Sequence, residues 1–306
     1  MTSASSEIIA CPLNRRVEAL SLVLCDIAPS QRPEIAATLL ESNPGAVELA
    51  GGGLFVAMRG QQLCGAAWGQ RQPGNTAVFW PPQLIPDETQ QSAVQLASTV
   101  AAELDRVGIA MTQVLLPPGD ADHVEVISAV GFRHLADLLY LSWEAGQNAA
   151  QPDKNRVLDF LPFDPSQPDR LSELVERTYE GSHDCAALNG TRDMNDVIAG
   201  YRATGVVRAE NWLIAQRDGQ DVGVLILADH PEARHWELVY MGLVPEARGC
   251  GLGRQITQHA QRMVECAKVE RIVLAVDAAN EPALRMYRTA GFQSWDQRSV
   301  YVRFFR

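Results

Sequence analysis

Long apolar runs, paired cysteines and an excess of basic charge are all missing from this sequence. No stretch reaches the roughly 18 to 20 uncharged apolar residues that a membrane helix needs, and the N-terminal segment has no basic stretch followed by an apolar core. The six cysteines are scattered, without a CxxC pair or metal-type spacing, so neither a disulfide framework nor a metal site is predicted. We therefore expect a cytoplasmic protein with no membrane partner and no metal.

The charge balance is acidic. Aspartate and glutamate number 37 against 26 lysines and arginines, a formal net charge of -11. This field repels nucleic acid phosphates and favours a cationic partner such as an amine, although solubility alone would also explain it. With 306 residues, 46% hydrophobic and 21% charged, the chain has the composition of an ordinary globular protein of one large or two medium domains.

An internal repeat favours two domains. Residues 84–132 and 243–292 match in order at an offset of about 160, and each reads as a Pro-containing turn, a long helix, an apolar strand, a second helix and a Gly-Phe stop. Upstream, residues 54–68 and 213–227 both predict hairpins. The polar segment 144–155 predicts a surface linker. We place the domains at 1–148 and 149–306.

The order of elements within each half predicts an α/β domain. Strands and helices alternate around a hairpin and end on a last strand, at residues 134–143 in the first half and 298–305 in the second. Such an order implies a mixed, partly antiparallel sheet flanked by helices. Two such tandem domains would form a pseudodimer within one chain, itself a monomer or weak homodimer.

The most specific chemical feature is the turn RGCGLG at residues 248–253, between a predicted strand at 237–244 and a predicted helix at 254–266. Glycines let the backbone approach a ligand, and the free N–H groups of a helix N-terminus bind anionic oxygens. The spacing does not fit the dinucleotide pattern G-x-G-x-x-G, and no Lys-Ser or Lys-Thr completes a Walker pattern. Two interpretations of this turn remain: a phosphate-binding site and a purely structural glycine turn.

Three motifs resemble those of the GNAT superfamily of N-acetyltransferases. Arg248, Gly251 and Gly253 fit its [QR]-x-x-G-x-[GA] signature. The segment WELVYMGLVPEARGCGLG, which begins at Trp236, resembles its strand-and-turn consensus, and residues 280–292 resemble its N-x-x-A-x-x-x-Y-x-x-x-G-F motif. The resemblance is strong over about 70 residues and faint in the first half.

This resemblance implies acetyl-CoA as co-substrate. The pantetheine arm would pair with a splayed strand at Met241, Gly242 and Leu243, with a bulge at Gly242. Asn280 would bond the pantetheine or a water molecule near it. Backbone N–H groups would hold the pyrophosphate along the turn formed by Arg248, Gly249, Cys250, Gly251, Leu252, Gly253 and Arg254, with charge from the two arginines.

The resemblance also implies acetyl transfer to a primary amine, which we expect on a small molecule. Glu237 matches the family's general base and Tyr287 its general acid, the proton donor to the departing thiolate. A solvated strand carboxylate and a core aromatic are the structural alternatives for these two residues. A module that senses CoA or acyl-CoA without turnover, and a protein acetyltransferase acting on lysine or an N-terminal amine, are the alternative functions.

The polar segment 178–192 is expected to line the acceptor pocket, because the loop between the first two helices does so in this family. Its candidate residues are Tyr179, Glu180, His183, Asp184, Asn189 and Arg192, with His183 as a rival base. A surface loop with capping side chains is the alternative.

The first half lacks the residue types that the donor site needs. Arg248, Gly251 and Gly253 correspond to Thr89, Ser92 and Val94. Asn280, Tyr287 and Glu237 correspond to residues near Asp120, Ile127 and Val78. We therefore predict one competent GNAT domain and one degenerate GNAT-like domain. The arrangement is similar to that of the mycothiol synthases, a similarity that does not transfer their substrate.

Overall fold

The computed structural model describes residues 6–25, 27–42, 52–146, 157–188 and 190–305. Two compact units are present: Met1–Leu135 together with Ser299–Arg306, and Ala136–Arg298. The predicted boundary at 148/149, most of the predicted linker and the candidate residue Asn189 lie outside the described residues. None of the described helices is long and apolar enough to cross a membrane.

The first unit is a sheet with two pairs of helices. Its elements are β1 (Glu7–Ala10), α1 (Arg16–Val23), α2 (Arg32–Ser42), β2 (Gly52–Arg59), β3 (Gln62–Gln72), β4 (Thr76–Leu84), α3 (Gln90–Arg106), β5 (Met111–Leu116) and α4 (Ala121–Ala129). The predicted hairpin at 54–68 is confirmed as β2 and β3, which pair antiparallel, and β4 then pairs parallel with β5.

The second unit repeats this order. After β6 (Arg133–Glu144) come β7 (Asp159–Pro162), α5 (Pro168–Tyr179), α6 (Met194–Arg202), β8 (Trp212–Arg217), β9 (Gln220–His230), β10 (His235–Leu243), α7 (Leu252–Ala267), β11 (Arg271–Asp277), α8 (Glu281–Thr289) and β12 (Gln293–Phe304). The strands of this unit lie in the order β6-β11-β10-β9-β8-β7. The second predicted hairpin is confirmed as β8 and β9.

Each unit takes its last strand from the other half of the sequence. Residues 299–304 of β12 pair antiparallel with β5 of the first unit, and residues 138–144 of β6 pair antiparallel with β11 of the second. Both segments therefore form strands, as the sequence predicts.

The core of the second unit fixes the helix that follows the glycine turn. Leu252, Ile256, Ala260 and Val264 lie one turn apart along α7, and all four are buried in that core. A stripe of apolar residues at this spacing faces one side of a helix, so its burial sets the direction of α7. The N-terminus of α7 is thereby held at the end of β10.

Candidate active site

Strands β10 and β11 separate part of the way along their length. They pair in parallel only from His235 to Glu237, whereas β10 continues to Leu243 paired with β9. Among the described residues, the β11-facing edge of β10 beyond Glu237 therefore has no strand beside it. Unpaired backbone groups on such an edge can accept an extended ligand as an additional strand.

The bulge that accompanies this separation is not at Gly242, and that prediction is wrong. The register of β10 against β9 shifts between Leu238 and Tyr240, while Gly242 stays paired with Val224. A Cβ atom at Gly242 would lie 2.6 Å from the hydroxyl oxygen of Thr178. Glycine is needed at this position because α5 approaches the strand closely, and not because the strand bulges there.

The glycine turn joins β10 to α7. Gly249 and Gly251 have φ values of +76° and +77°, and open space surrounds the position of a Cβ atom at each. Gly251 is the N-cap residue of α7, and no side chain caps the first turn of that helix. Leu252 is buried in the core, whereas Cys250 and Arg254 are exposed. The turn thus presents an uncapped helix N-terminus at an open surface, which suits an anionic ligand.

Close packing explains the third glycine. A Cβ atom at Gly253 would lie 3.0 Å from Met286 Sδ, so a side chain there would press on α8. α7 and α8 therefore approach closely beside the turn.

Arg248 fixes the turn from within the protein. Its guanidinium donates hydrogen bonds to the carbonyl oxygens of Leu243 (3.0 Å), Glu180 (2.7 Å) and Thr178 (2.8 Å). The last two carbonyls lie at the C-terminal end of α5, where helix carbonyls lack partners of their own. The arginine of the signature thus joins α5 to the end of β10.

The pairing register assigns the side chains of β10 to two faces. Glu237, Tyr240 and Gly242 are opposite Ala228, Ile226 and Val224 of β9, which are two residues apart and share one face of the sheet. We call this the Glu237 face. Met241 belongs to the other face, where its sulfur lies 3.7 Å from the Thr257 hydroxyl of α7.

Glu237 is paired with a histidine. Its Oε2 lies 3.0 Å from Nε2 of His230, with both side chains partly exposed. The ring of His230 in turn stacks on His235, whose pKa is lowered by burial. Glu237 is therefore an accessible carboxylate with a hydrogen-bonding neighbour, as a general base requires.

Three tyrosines form a cluster on the Glu237 face, to which Tyr240 belongs. Tyr179 and Tyr201 share a hydrogen bond between their hydroxyls at 2.6 Å, and the ring of Tyr240 contacts both rings. Tyr240 also shares a hydrogen bond with the Thr178 hydroxyl at 2.6 Å. Burial raises the pKa of all three phenols, which therefore stay protonated at neutral pH.

A cleft of about 510 Å³ opens over this cluster. Four of the predicted acceptor-loop residues line it: Tyr179, Glu180, Asp184 and Arg192. His183 is exposed and lies outside the described lining. Sequence reasoning missed Val239, Tyr240 and Tyr201, which also line the cleft. The tyrosine of β10 lies three residues after Glu237, a spacing that simple strand alternation assigns to the opposite face.

The acceptor loop is fastened to the end of β11. The backbone N–H of Asp277 donates to the Asp184 carboxylate at 3.1 Å, and the N–H of Cys185 donates to the Asp277 carboxylate at 3.1 Å. Although much of the Asp184 residue is exposed, desolvation of its carboxyl group raises the pKa of Asp184, and the negative charge of Asp277 adds to this. The two reciprocal bonds hold the loop against the strand.

Asn280 and Tyr287 belong to the helix that follows. The Asn280 side chain accepts a hydrogen bond from the Ala283 N–H at 3.3 Å and so caps α8. Tyr287 is buried, with its ring 5.3 Å from that of Phe292. Burial, followed by the nearby Asp184 charge, raises the pKa of Tyr287. Its phenol therefore retains a proton that it can donate.

In the first unit, the protein's own carboxylate occupies the corresponding helix N-terminus. Glu88 Oε1 accepts hydrogen bonds from the Thr89 N–H (3.1 Å) and the Ser92 hydroxyl (2.8 Å), and Arg59 pairs with Oε2 at 2.6 Å. Only 3% of the Glu88 side chain is exposed. The start of α3 thus has an internal anion where α7 has an open turn.

The sequence matches known acetyltransferases. The sequence model of the Acetyltransferase (GNAT) family matches residues 171–292. Mycothiol acetyltransferase from Streptomyces griseus is 27% identical over 179 residues, which cover 55% of this chain and 57% of that protein. The enzyme of the same name from an Arthrobacter species is 31% identical over 172 residues, or 50% of this chain and 47% of that protein. The chain spans about half the length of these curated relatives.

Solved structures extend the comparison over the whole chain. A GCN5-related N-acetyltransferase from Sphaerobacter thermophilus has a TM-score of 0.67 at 16% identity, covering 100% of this chain and 98% of that chain. A tandem GNAT protein from the clavulanic acid biosynthesis pathway has a TM-score of 0.56 at 12% identity, covering 98% and 99%. These structures confirm the predicted tandem α/β fold, and residues 171–292 are the part of the chain that matches the sequence model of the Acetyltransferase (GNAT) family.

Proposed function

We propose that this chain transfers an acetyl group from acetyl-CoA to a primary amine of a small molecule. The observation that carries the proposal is the separation of β10 from β11 beyond Glu237, which leaves a free strand edge leading from the open glycine turn. Glu237 is the last residue at which the two strands pair, and Tyr287, whose phenol keeps its proton, lies on α8, the helix that follows β11.

The residues of the turn and of β10 suit acetyl-CoA. The open glycines Gly249 and Gly251 allow close backbone approach, so the N–H groups of residues 248–254 would hold the pyrophosphate. The edge of β10 at residues 241–243 would pair with the pantetheine arm, and the acetyl group would lie near Tyr287. Arg248 supports this site by positioning the turn, since its guanidinium already donates to three carbonyls.

Each proton of the reaction has a candidate group. A primary amine is an ammonium at neutral pH, so Glu237 accepts its proton directly or through water, and the free amine then forms the new bond to the acetyl carbon. The backbone N–H near Leu243 stabilises the oxyanion that develops. Tyr287 donates its proton to the departing thiolate, which leaves as the thiol of CoA, and the second proton that the nitrogen loses on forming the amide restores the Tyr287 phenol directly or through water. The amide and the thiol account for all the atoms transferred.

The cleft at the acceptor loop supports a small-molecule amine. The cleft is bordered by the acceptor loop, α6 and β10, and its lining includes three partly buried tyrosines. A small amine fits a cleft of this kind better than a protein chain, which would need an open groove. The names of the relatives, mycothiol acetyltransferases, agree with the proposed class of reaction, acetyl transfer. An assay with a panel of amines identifies the acceptor of this chain. A cytoplasmic location and a monomer or weak homodimer remain predictions.

We propose a supporting role for the first half. At the start of α3, the Glu88 carboxylate accepts hydrogen bonds from Thr89 and Ser92. This carboxylate therefore occupies the position in which a pyrophosphate would bind. One donor site per chain follows from this. The first half would then have a supporting role and no donor site of its own.

The test is a binding and turnover experiment on the full chain. Acetyl-CoA should raise the melting temperature, and a panel of amines should contain one that releases CoA thiol. Replacement Tyr287→Phe should lower kcat by about 10- to 100-fold or more with little change in acetyl-CoA affinity, because only proton donation is lost. Tyr301→Phe in the first unit is the matched control. Binding without turnover for any amine would indicate a sensor, and no shift with acetyl-CoA would reject the donor site.

A further inference from the structure

The exposed Trp295 and the half-buried Tyr140 form an aromatic pair on the Glu237 face, outside the cleft. Trp295 is 62% exposed, and its ring centroid is 5.7 Å from that of Tyr140 at an interplanar angle of 59°. Burial of a large aromatic side chain is energetically favourable, yet most of the Trp295 side chain is in contact with solvent. The proposed reaction assigns no role to Trp295.

The pairing register places Tyr140 on the same face as Glu237. Glu237 is opposite Val273 of β11, and Tyr140 of β6 is opposite Ala275, two residues further along β11. Residues two apart on a strand share a face, so all four side chains point the same way. Strand spacing and rise put the Cα atoms of Glu237 and Tyr140 about 12 Å apart. Ala275, on the floor between them, is exposed.

The charged groups around this floor are of both signs. Arg298 is neutralised by Asp296, whose carboxylate lies 3.0 Å from its Nε. Glu237 is partly exposed beside His230, and burial lowers the pKa of the neighbouring His235, which keeps that ring neutral near pH 7. The charges that act on the Tyr140 phenol are those of Arg298, Asp296 and Glu237; the first two pair with each other, which leaves Glu237 to attract a cation. The exposed Arg271, two residues before Val273 on the same face, adds a positive charge on the side of His235.

We propose that Trp295 and Tyr140 form an aromatic platform that captures the protonated amine of the acceptor before Glu237 removes its proton. The inference rests on the proposed acetyl transfer. A primary amine reaches the enzyme as an ammonium ion, and the negative face of an indole or phenol ring attracts such an ion within about 6 Å of the ring centroid. The acceptors selected would carry a cationic amine close to the group that contacts the indole.

Direct binding tests the platform without depending on turnover. Choline, a quaternary ammonium, and its neutral analogue in which carbon replaces nitrogen are titrated into the full chain and followed by ligand-observed NMR. Choline should bind about 2- to 30-fold more tightly than the neutral analogue. Trp295→Leu should abolish that difference, Trp295→Phe should retain part of it, and Phe305→Leu, at another exposed aromatic, should leave it unchanged.

Kinetics with an amine found by the turnover assay provide the second readout. Trp295→Leu should raise KM for the amine by the factor seen in binding, with little change in kcat or in KM for acetyl-CoA. Equal binding of the two probes, no detectable choline binding, or an equal loss in Phe305→Leu would overturn the platform. Choline selectivity that depends on Trp295, without transfer to any amine, would keep the ammonium site and reject the acetyl transfer.

Discussion

The guanidinium Nη2 of Arg248 donates a hydrogen bond to the carbonyl oxygen of Thr178 at 2.8 Å. With the bonds to Glu180 and Leu243, this contact joins the last turn of α5 to the end of β10. The residue that the family signature suggests for phosphate contact therefore acts first on the protein itself. Its three acceptors all come from the backbone, so the arrangement depends on the fold and not on neighbouring side chains.

Removal of this guanidinium should damage the donor site and the fold together. Arg248→Met keeps most of the side-chain length but leaves three carbonyls without their donor, which should cost about 1 to 3 kcal/mol of stability. Acetyl-CoA affinity should fall about 10-fold because the turn is no longer held. Thermal unfolding and acetyl-CoA titration measure the two effects. Arg217→Met removes an exposed arginine of β8 and should change neither, and equal behaviour of the two variants would contradict the role.

The sequence predicts the parts of the site that depend on neighbouring residues. The glycine turn and the hairpin of β8 and β9 follow from short patterns, since a turn needs particular residue types at adjacent positions. Tyr240 could not be placed in the same way. Strict alternation from Glu237 would put it on the opposite face, but the register shift between Leu238 and Tyr240 returns it to the Glu237 face. A bulge inserted in a strand exchanges the faces of everything after it.

The pairing partners of β6 and β12 also cannot be predicted from the local sequence. The sequence predicts a strand at residues 134–143 and another at 298–305, where β6 and β12 lie. Alternation specifies which side chains are buried but not which edge the strand joins. The structure pairs Val300 with Leu115 and Leu141 with Leu274, so each last strand completes the sheet of the other half.

The positive φ of Gly251 should be required for acetyl-CoA binding as well as for the backbone conformation of the turn. Gly251 and Gly219 have the same φ of +77°, and neither has an atom near the place of a Cβ. Replacement by alanine should therefore cost each position about 1 kcal/mol of backbone strain. Gly219 lies in the turn between β8 and β9 and is not part of the glycine turn. Only Gly251→Ala should weaken acetyl-CoA binding, by about 10-fold or more, in an isothermal titration; equal affinities for the two variants would remove the turn from the donor site.

The Glu88 carboxylate should make the free energy of unfolding depend on pH in the acid range. Burial of its carboxyl group opposes ionisation, but the hydrogen bonds from Thr89 and Ser92 and the charge of Arg59 outweigh it and hold the pKa of Glu88 below its usual value. A carboxylate with a lowered folded pKa stabilises the fold above its unfolded pKa of about 4.3, and this contribution disappears as pH falls through the folded value.

Glu88→Gln should therefore unfold at a lower temperature than the parent chain at neutral pH, and the gap should narrow below about pH 4. Glu125→Gln, at an exposed glutamate of α4, is the control and should show no such convergence. Because Glu88 belongs to the first unit, acetyl-CoA affinity should stay the same. A gap that remains constant with pH would mean that Glu88 contributes by shape alone.

The pH dependence of a Glu237 variant should separate proton removal from substrate positioning. Glu237→Gln keeps the size and a hydrogen-bonding group near His230 but cannot take a proton, so kcat/KM at neutral pH should fall about 100-fold. The deficit should shrink as pH approaches about 10, the region in which alkyl ammonium ions deprotonate in solution and no longer need a base. Glu232→Gln, in the exposed turn before β10, controls for charge loss nearby. His230→Gln should lower kcat/KM by less than Glu237→Gln does, because Glu237 remains to accept the proton. If the deficit of Glu237→Gln is the same at every pH, the carboxylate positions the amine and another group removes its proton.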